Sequence, residues 1–295
     1  ALAIAQLFRD AGAPEGLFVT LLVEASEVKS LIEDRRISAV TLTGSTPVGK
    51  LVASQAGAVL KKQVLELGGS DAFIVLADAD IELAAKSAVK ARFQNVGQSC
   101  ISAKRFIVVD AVADQFTERF CHYTAELKVG NPMQRDVTIG PLARANLRDD
   151  LHDQVQRSVA QGAKLLMGGK FVEGPGFFYE PTVLGDVTSE MAAGCEETFG
   201  PAAAIMRVKD TEAAIALANS LDYGLGAGLW TQNVEEGAKL ARRIEAGAVF
   251  INGLVASDPR YPFGGIKQSG YGRELGVHGA REFTNIKTVW IGPAK

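Results

Sequence analysis

The 295-residue sequence contains no apolar run approaching the roughly 20 residues of a membrane span, and no signal-peptide pattern opens it. A cytoplasmic location is the expectation. Cysteine is scarce: Cys100, Cys121 and Cys195 are an odd number without CxxC spacing, which argues against a disulfide framework or a zinc site. His122, His152 and His278 are scattered without metal-ligand pairing, so no metal is expected. Long basic runs are missing and the net charge is −3, so neither nucleic acid nor an anionic membrane is an implied partner. The dinucleotide fingerprint GxGxxG is absent as well. What remains is an ordinary globular composition, 47% hydrophobic and 22% charged, sufficient for one large or two medium domains.

The chain opens on an amphipathic helix that stops at Gly12, with Pro14 beyond it. A strand at 18–23, a helix at 26–35 and a strand at 37–43 follow, the alternation of a parallel sheet with crossover helices. Later segments continue it, with strands at 72–76 and 105–109 and helices at 80–92 and 111–127. On the second of these helices Phe116, Phe120 and Cys121 share one face, which makes Cys121 a core residue. A charged helix at 144–161, a glycine-rich hairpin or loop at 168–176, and a last run of helices (211–219, 234–244) and strands (227–230, 248–251) complete the pattern. The expected class is α/β.

Four stretches carry candidate chemistry. Phe93-Gln-Asn-Val-Gly-Gln-Ser-Cys-Ile-Ser-Ala-Lys-Arg105 sets Cys100 among a glycine, small polar residues and two cations. Lys104, Arg105 or turn N–H groups there could lower the thiol pKa and favour the nucleophilic thiolate; equally, Cys100 fits as a small buried hydrophobe. Leu65-Glu-Leu-Gly-Gly69 places Glu66 at a strand end before a glycine pair, where desolvation would raise its pKa toward that of a general base. By itself Glu66 reads as a strand-end surface acid; beside Cys100 it is a candidate base. Thr43-Gly-Ser-Thr-Pro-Val-Gly49 is either an ordinary helix start capped by Ser45 or Thr46, or an anion site in which Gly44 admits a ligand to free N–H groups. Cys195-Glu-Glu-Thr-Phe-Gly-Pro201 offers either a helix-start acid pair or a carboxylate for ribose hydroxyls with a ring beside it.

Together, in this order and spacing, LELGG, the cysteine stretch and CEETFGP resemble the NAD(P)-dependent aldehyde dehydrogenase superfamily from one end of the chain to the other. The resemblance implies that Cys100 attacks an aldehyde to give a thiohemiacetal and then a thioester, and that Glu66 activates the hydrolytic water. It implies cofactor contacts at Gly44, Ser45, Val48 and Leu67, a ribose acid at Glu197 and a ring beside the nicotinamide at Phe199. Cys195 has no implied role. The oxyanion would be held by the Cys100 backbone N–H and an asparagine side chain. The implied architecture is the second half of a Rossmann-like parallel-sheet domain (1–68), an α/β catalytic domain (69–270) and a C-terminal oligomerisation strand or arm (271–295), giving a homodimer or homotetramer.

LELGGSDAFIVLADAD and SDPRYPFGGIKQSGYGREL look most like the short bacterial succinate semialdehyde dehydrogenases, in which Ser257 would contact the far carboxylate of the substrate. Arg260 would assist it by charge; loop capping and an intersubunit salt bridge are its other readings. Ser102 stands where alanine or glycine is usual. The chain looks N-terminally incomplete against this family, and the residues that choose NAD or NADP would lie upstream. An inactive or scaffold-like remnant, a coenzyme A-acylating relative and a cofactor-free thiol hydrolase are the alternatives; Glu66 disfavours the second, and the nucleotide-facing motifs the third.

Overall fold

The computed structural model describes residues 1–293. The chain forms two compact units, Ala1–Val40 with Leu51–Gln63, and Thr41–Lys50 with the chain from Val64 onward.

The smaller unit carries α1 (Leu2–Asp10), a 3-10 turn at Ala25–Glu27, α2 (Val28–Glu33), the first residues of β1 (Ala39–Thr43) and most of α3 (Thr46–Ala58). Glu24 and Glu27 form a capping box at the 3-10 turn, and Lys61 donates to the carbonyls of Ile32 and Asp34. The strand expected at 18–23 does not form. No described strand lies beside it, and a lone extended segment has no ladder for its N–H and C=O groups. Its side chains Phe18, Val19, Leu21, Leu22 and Val23 are consequently exposed. The helix expected at 26–35 is split between the 3-10 turn and α2, and the strand expected at 37–43 begins only at Ala39.

The larger unit continues through β2 (Lys62–Glu66), β3 (Ala72–Val75), α4 (Ile81–Phe93), β4 (Arg105–Val109), α5 (Asp110–Ala125), α6 (Ala145–Ala160) and β5 (Lys164–Met167). Next come β6 (Thr182–Gly185), α7 (Ala192–Cys195), β7 (Ala202–Val208), α8 (Thr211–Asn219), β8 (Tyr223–Gly224), β9 (Gly226–Trp230) and α9 (Val234–Ala241). The last elements are β10 (Ala248–Ile251), β11 (Ile266–Lys267), β12 (Gly270–Tyr271) and α10 (Gly276–Glu282). Seven strands form one sheet in the order β10-β9-β3-β4-β7-β6-β5, parallel throughout except where β5 returns against β6. This is an α/β fold built on a parallel sheet.

Alternation along β3 and β4 divides the core. Phe73, Val75, Phe106 and Val108 face α4 and α5, with the Phe106 ring 4.8 Å from that of Phe120. Ala72, Ile74, Ile107 and Val109 face the other side, with Ala214, Ile215 and Leu240 of α8 and α9. Both faces are covered, which explains why these strands read as unbroken apolar runs. Cys121 packs against the first of these clusters.

The register matters most for the site. Ala72 pairs with Arg105 and with Ala227, and Arg105 pairs with Ala204. Parallel strands aligned this way bring the segments that precede them to one edge. Gly69–Asp71, Cys100–Lys104 and Glu197–Pro201 therefore meet at the amino-terminal edge of the sheet, whereas open α/β sheets generally bind ligands beyond the carboxyl ends. A second sheet, β1-β2-β12, holds Glu66 opposite Gly270.

The tail expected as a strand at 283–291 forms none among the described residues and pairs with no edge strand of the described sheets. Ile286, Val289, Trp290 and Ile291 stand exposed there. Ala294 and Lys295, the end of the expected arm, lie outside the described residues.

Candidate active site

Helix α4 delivers the chain to a short irregular stretch, Gln94–Gly97, in which Asn95, Val96 and Gly97 all take left-handed backbone angles (φ 51°, 59° and 70°). Any side chain at Gly97 would collide with the Gly200 carbonyl and with Arg92. The chain then turns over Ser99–Ser102, closed by the Ser102 N–H donating to the Ser99 carbonyl at 3.2 Å, with half-buried Cys100 in the bend. Ser102 is fully buried beneath it.

The environment of the thiol differs from the sequence expectation. Burial pushes the Cys100 thiol up; Lys104 and the Ile101 N–H act against this, while Asp71 and Glu197 reinforce it. Arg105 does not help, since its guanidinium is occupied by the carbonyls of Ser70, Leu217 and Ala218 at 3.1, 2.8 and 3.0 Å. Lys104 is fully buried, and its ammonium donates to the carbonyls of Ser99 (2.8 Å) and Cys100 (2.6 Å) rather than reaching the sulfur. Burial lowers the Lys104 pKa, opposed by Glu197 and Asp71.

Glu66 ends β2 with its side chain buried, and neither carboxyl oxygen has a hydrogen-bond partner among the described residues. Burial, reinforced by Glu274 and opposed by Arg273, pushes its pKa to about 7. The Arg273 guanidinium donates instead to the carbonyls of Gly265 and Gly272. Three residues on, Gly69 lies so close to the Cys100 carbonyl that an added Cβ would come within 2.8 Å of it. The LELGG segment thus runs from the Glu66 carboxyl to the floor of the Cys100 turn.

The paired acids of the CEETFGP loop point apart. Glu196 takes a two-pronged bond from Arg157 (2.7 and 2.9 Å) and a third from Gln154 (3.0 Å), tying the loop to α6. Glu197 turns inward, accepting from the Gly69 N–H at 3.0 Å and lying 3.7 Å from the Lys104 ammonium through the same oxygen, Oε1. Its other oxygen, Oε2, lies over Gly68, where a Cβ would leave it no room. Phe199 is half-buried and, with Glu197, lines a cleft of about 340 Å³.

The remaining sequence candidates fall in two places. Gly44, Ser45 and Val48 form an exposed turn at the start of α3; the Gly44 N–H donates to the Glu66 carbonyl and the Ser45 carbonyl accepts from Gly49. Gly49 leaves room for the buried Leu67 side chain, so the turn is fastened to LELGG. Ser257 and Arg260 lie in an exposed loop, and the Arg260 guanidinium is engaged by Asp258 at 2.9 and 2.6 Å. That bond draws on the charge expected to be available for a substrate carboxylate.

Two residues escaped the sequence reading. Asp71, buried, accepts from the Gly226 N–H at 3.0 Å and from backbone N–H groups of Lys104 and Arg105 through its own carbonyl. Arg92 is fully buried in the last turn of α4. Its signal was its position: it continues the stripe of Ala85, Ala88 and Val89, the face a core helix buries. Among the described residues no cluster of His, Cys, Asp or Glu could hold a metal ion, and no helix is long and apolar enough to cross a membrane.

The aldehyde dehydrogenase family profile matches residues 1–289. The chain is 53% identical over 287 residues to the succinate semialdehyde dehydrogenase [NAD(P)+] Sad of Escherichia coli strain K12, covering 97% of this chain and 62% of that protein. It is 54% identical over 291 residues to a probable succinate-semialdehyde dehydrogenase [NADP(+)] of Synechocystis, covering 99% and 64%. The crystal structure of succinic semialdehyde dehydrogenase from Streptococcus pyogenes in complex with NADP+ superposes with a TM-score of 0.96 at 40% identity, covering 99% of this chain and 64% of that one. The chain therefore spans less than two thirds of the length of these relatives. On the family match and on relatives this similar, the chain belongs to the aldehyde dehydrogenase family.

Proposed function

We propose that the complete natural protein containing this chain oxidises an aldehyde to a carboxylic acid with NAD+ or NADP+, with succinate semialdehyde as its substrate. The observation that carries the reading is the meeting of the Cys100 turn, the Glu66–Gly69 segment and the Glu197 carboxylate at one edge of the sheet. The names of the relatives support the substrate.

The residues present fit a nicotinamide dinucleotide. The exposed start of α3, with its helix dipole and first-turn N–H groups, suits a pyrophosphate beside Gly44, Ser45 and Val48, although the Gly44 N–H is itself held by the Glu66 carbonyl. Leu67 floors that turn, Glu197 keeps Oε2 for a ribose hydroxyl, and Phe199 offers a ring face at the cleft. When bound, the cofactor supplies the hydride acceptor.

The protein's own part has two stages. The Cys100 thiolate forms a bond to the aldehyde carbon, and once that carbon is oxidised the sulfur holds it as a thioester. Glu66, near neutrality in pKa, then takes a proton from the water that attacks the thioester carbonyl; the C–S bond breaks, releasing the acid and the Cys100 thiolate, and the proton leaves Glu66 to solvent or to that sulfur. Ser257 is assigned to the far carboxylate of the substrate. Arg260 would join it only after exchanging its bond to Asp258.

In this reading 1–68 is the later part of the dinucleotide-binding domain, 69–270 the thiol domain and 271–295 an arm whose exposed apolar residues pair with another copy in a dimer or tetramer. The setting is cytoplasmic. The test is the initial rate of NAD+ and NADP+ reduction with succinate semialdehyde and with propanal. Reduction that prefers the semialdehyde and vanishes in Cys100→Ala is expected; no reduction with either aldehyde would sink the reading.

A further inference from the structure

We propose that Arg92 is a positioning residue that clamps the Cys100 turn to the Glu197–Phe199 loop and so sets the gap across which the oxidation occurs; this rests on the roles assigned above to Cys100, Glu197 and Phe199. The fully buried guanidinium donates to the carbonyls of Gly97 (3.2 Å) and Ala103 (3.0 Å), which bracket Cys100 in sequence. Across the gap it donates to the carbonyls of Thr198 (3.1 Å) and Gly200, which bracket Phe199. One rigid planar group thus holds both loops, and its several donors in a fixed fork suit that task better than the single head of a lysine.

The backbone shows that the spacing is imposed. Val96, a β-branched residue, rarely adopts the left-handed conformation it has here, and it does so between Asn95 and Gly97 in the same conformation. Such a run persists where its surroundings over-determine it, and here the Arg92 bond to Gly97 and the contact of Gly97 with Gly200 do so. The Gln98 side chain adds a bond from the Ala143 N–H at 2.8 Å. None of these contacts involves the sulfur, the Glu66 carboxyl or the Glu197 carboxyl directly.

Hydride transfer requires the carbon on Cys100 and the nicotinamide beside Phe199 at near-contact distance, and an error of about 1 Å can cost on the order of 100-fold. Cys100-dependent hydrolysis of an activated ester needs no nicotinamide. Loosening the clamp should separate the two activities, whereas a general loss of structure lowers both.

The experiment compares the complete natural protein with Arg92→Met and Arg92→Lys. It measures kcat for NADP+ and NAD+ reduction with succinate semialdehyde, the deuterium isotope effect at the aldehyde carbon, and hydrolysis of p-nitrophenyl acetate without cofactor. The expected result is a fall of about 100-fold in kcat for Arg92→Met, an increased isotope effect, and ester hydrolysis within about threefold of the parent. Arg92→Lys, which keeps the charge and part of the donor set, should recover much of the loss; if the methionine variant does not fold, the lysine variant must show the same split at about tenfold. A parallel fall of both activities, or no fall in kcat, overturns the clamp. Absence of cofactor reduction in the parent protein would instead overturn the functional reading and the clamp with it.

Discussion

The Glu197 carboxylate lies 3.7 Å from the fully buried ammonium of Lys104, which at the same time donates to the carbonyl of Cys100 at 2.6 Å. One cation therefore connects the nucleophile's backbone to the acid assigned to the ribose. Glu196, next in sequence, is held on the opposite side by Arg157 and Gln154. The two acids should respond differently to the same change. Glu197→Gln should raise KM for NAD+ and NADP+ by about tenfold or more, through the loss of a charge-assisted bond. Glu196→Gln should leave both kinetic constants near the parent values and lower stability by less than about 1 kcal/mol, as expected of a partly exposed ion pair. Steady-state kinetics and thermal melts on the two variants check this.

Alkylation should report the burial of Cys100. Because burial raises its thiol pKa despite Lys104, iodoacetamide should modify the cofactor-free protein slowly at neutral pH, with the rate rising beyond the range of an ordinary thiol. Lys104→Met should move the profile further toward alkaline pH by removing the nearest opposing charge. A profile centred well below 8.5 would contradict this.

Glu66 should make stability depend on pH in a defined direction. Its folded pKa, about 7, lies above the ordinary value of 4.5, so the folded state favours the protonated form. The associated stability is fully present below about 4.5 and is lost as pH rises through 7, a change on the order of 3 kcal/mol. Glu66→Gln cannot ionise. Its Tm should therefore gain on that of the parent between pH 5 and pH 8, and a gap constant with pH would refute the assignment.

Much of the candidate site was legible in the sequence because its residues sit in short, punctuated motifs. Cys100 and Glu66 were singled out as candidates by type and by adjacent glycines, and the parallel sheet was read from strands alternating with helices. What was not legible depends on contacts distant in sequence. Arg92 bonds Thr198 and Gly200 across more than 100 positions, and nothing local distinguishes it from a surface arginine except its place on the alanine face. Arg105 was misjudged because proximity in sequence to Cys100 does not show that β4 turns its side chain toward Leu217 and Ala218. The segments 18–23 and 283–291 were read as strands from composition, and composition is silent on whether an adjacent edge exists.

The most direct test of the account is to trap the acyl group. The Glu66→Gln form of the complete natural protein, mixed with succinate semialdehyde and NADP+ or NAD+, would be quenched and measured by intact and peptide mass spectrometry. The account predicts one equivalent of reduced cofactor and a succinyl thioester on the peptide bearing Cys100, with both lost in Glu66→Gln/Cys100→Ala. Continued turnover without an accumulated thioester, or an acyl group on Cys121 or Cys195, would contradict the assignment of Cys100 as nucleophile and Glu66 as base.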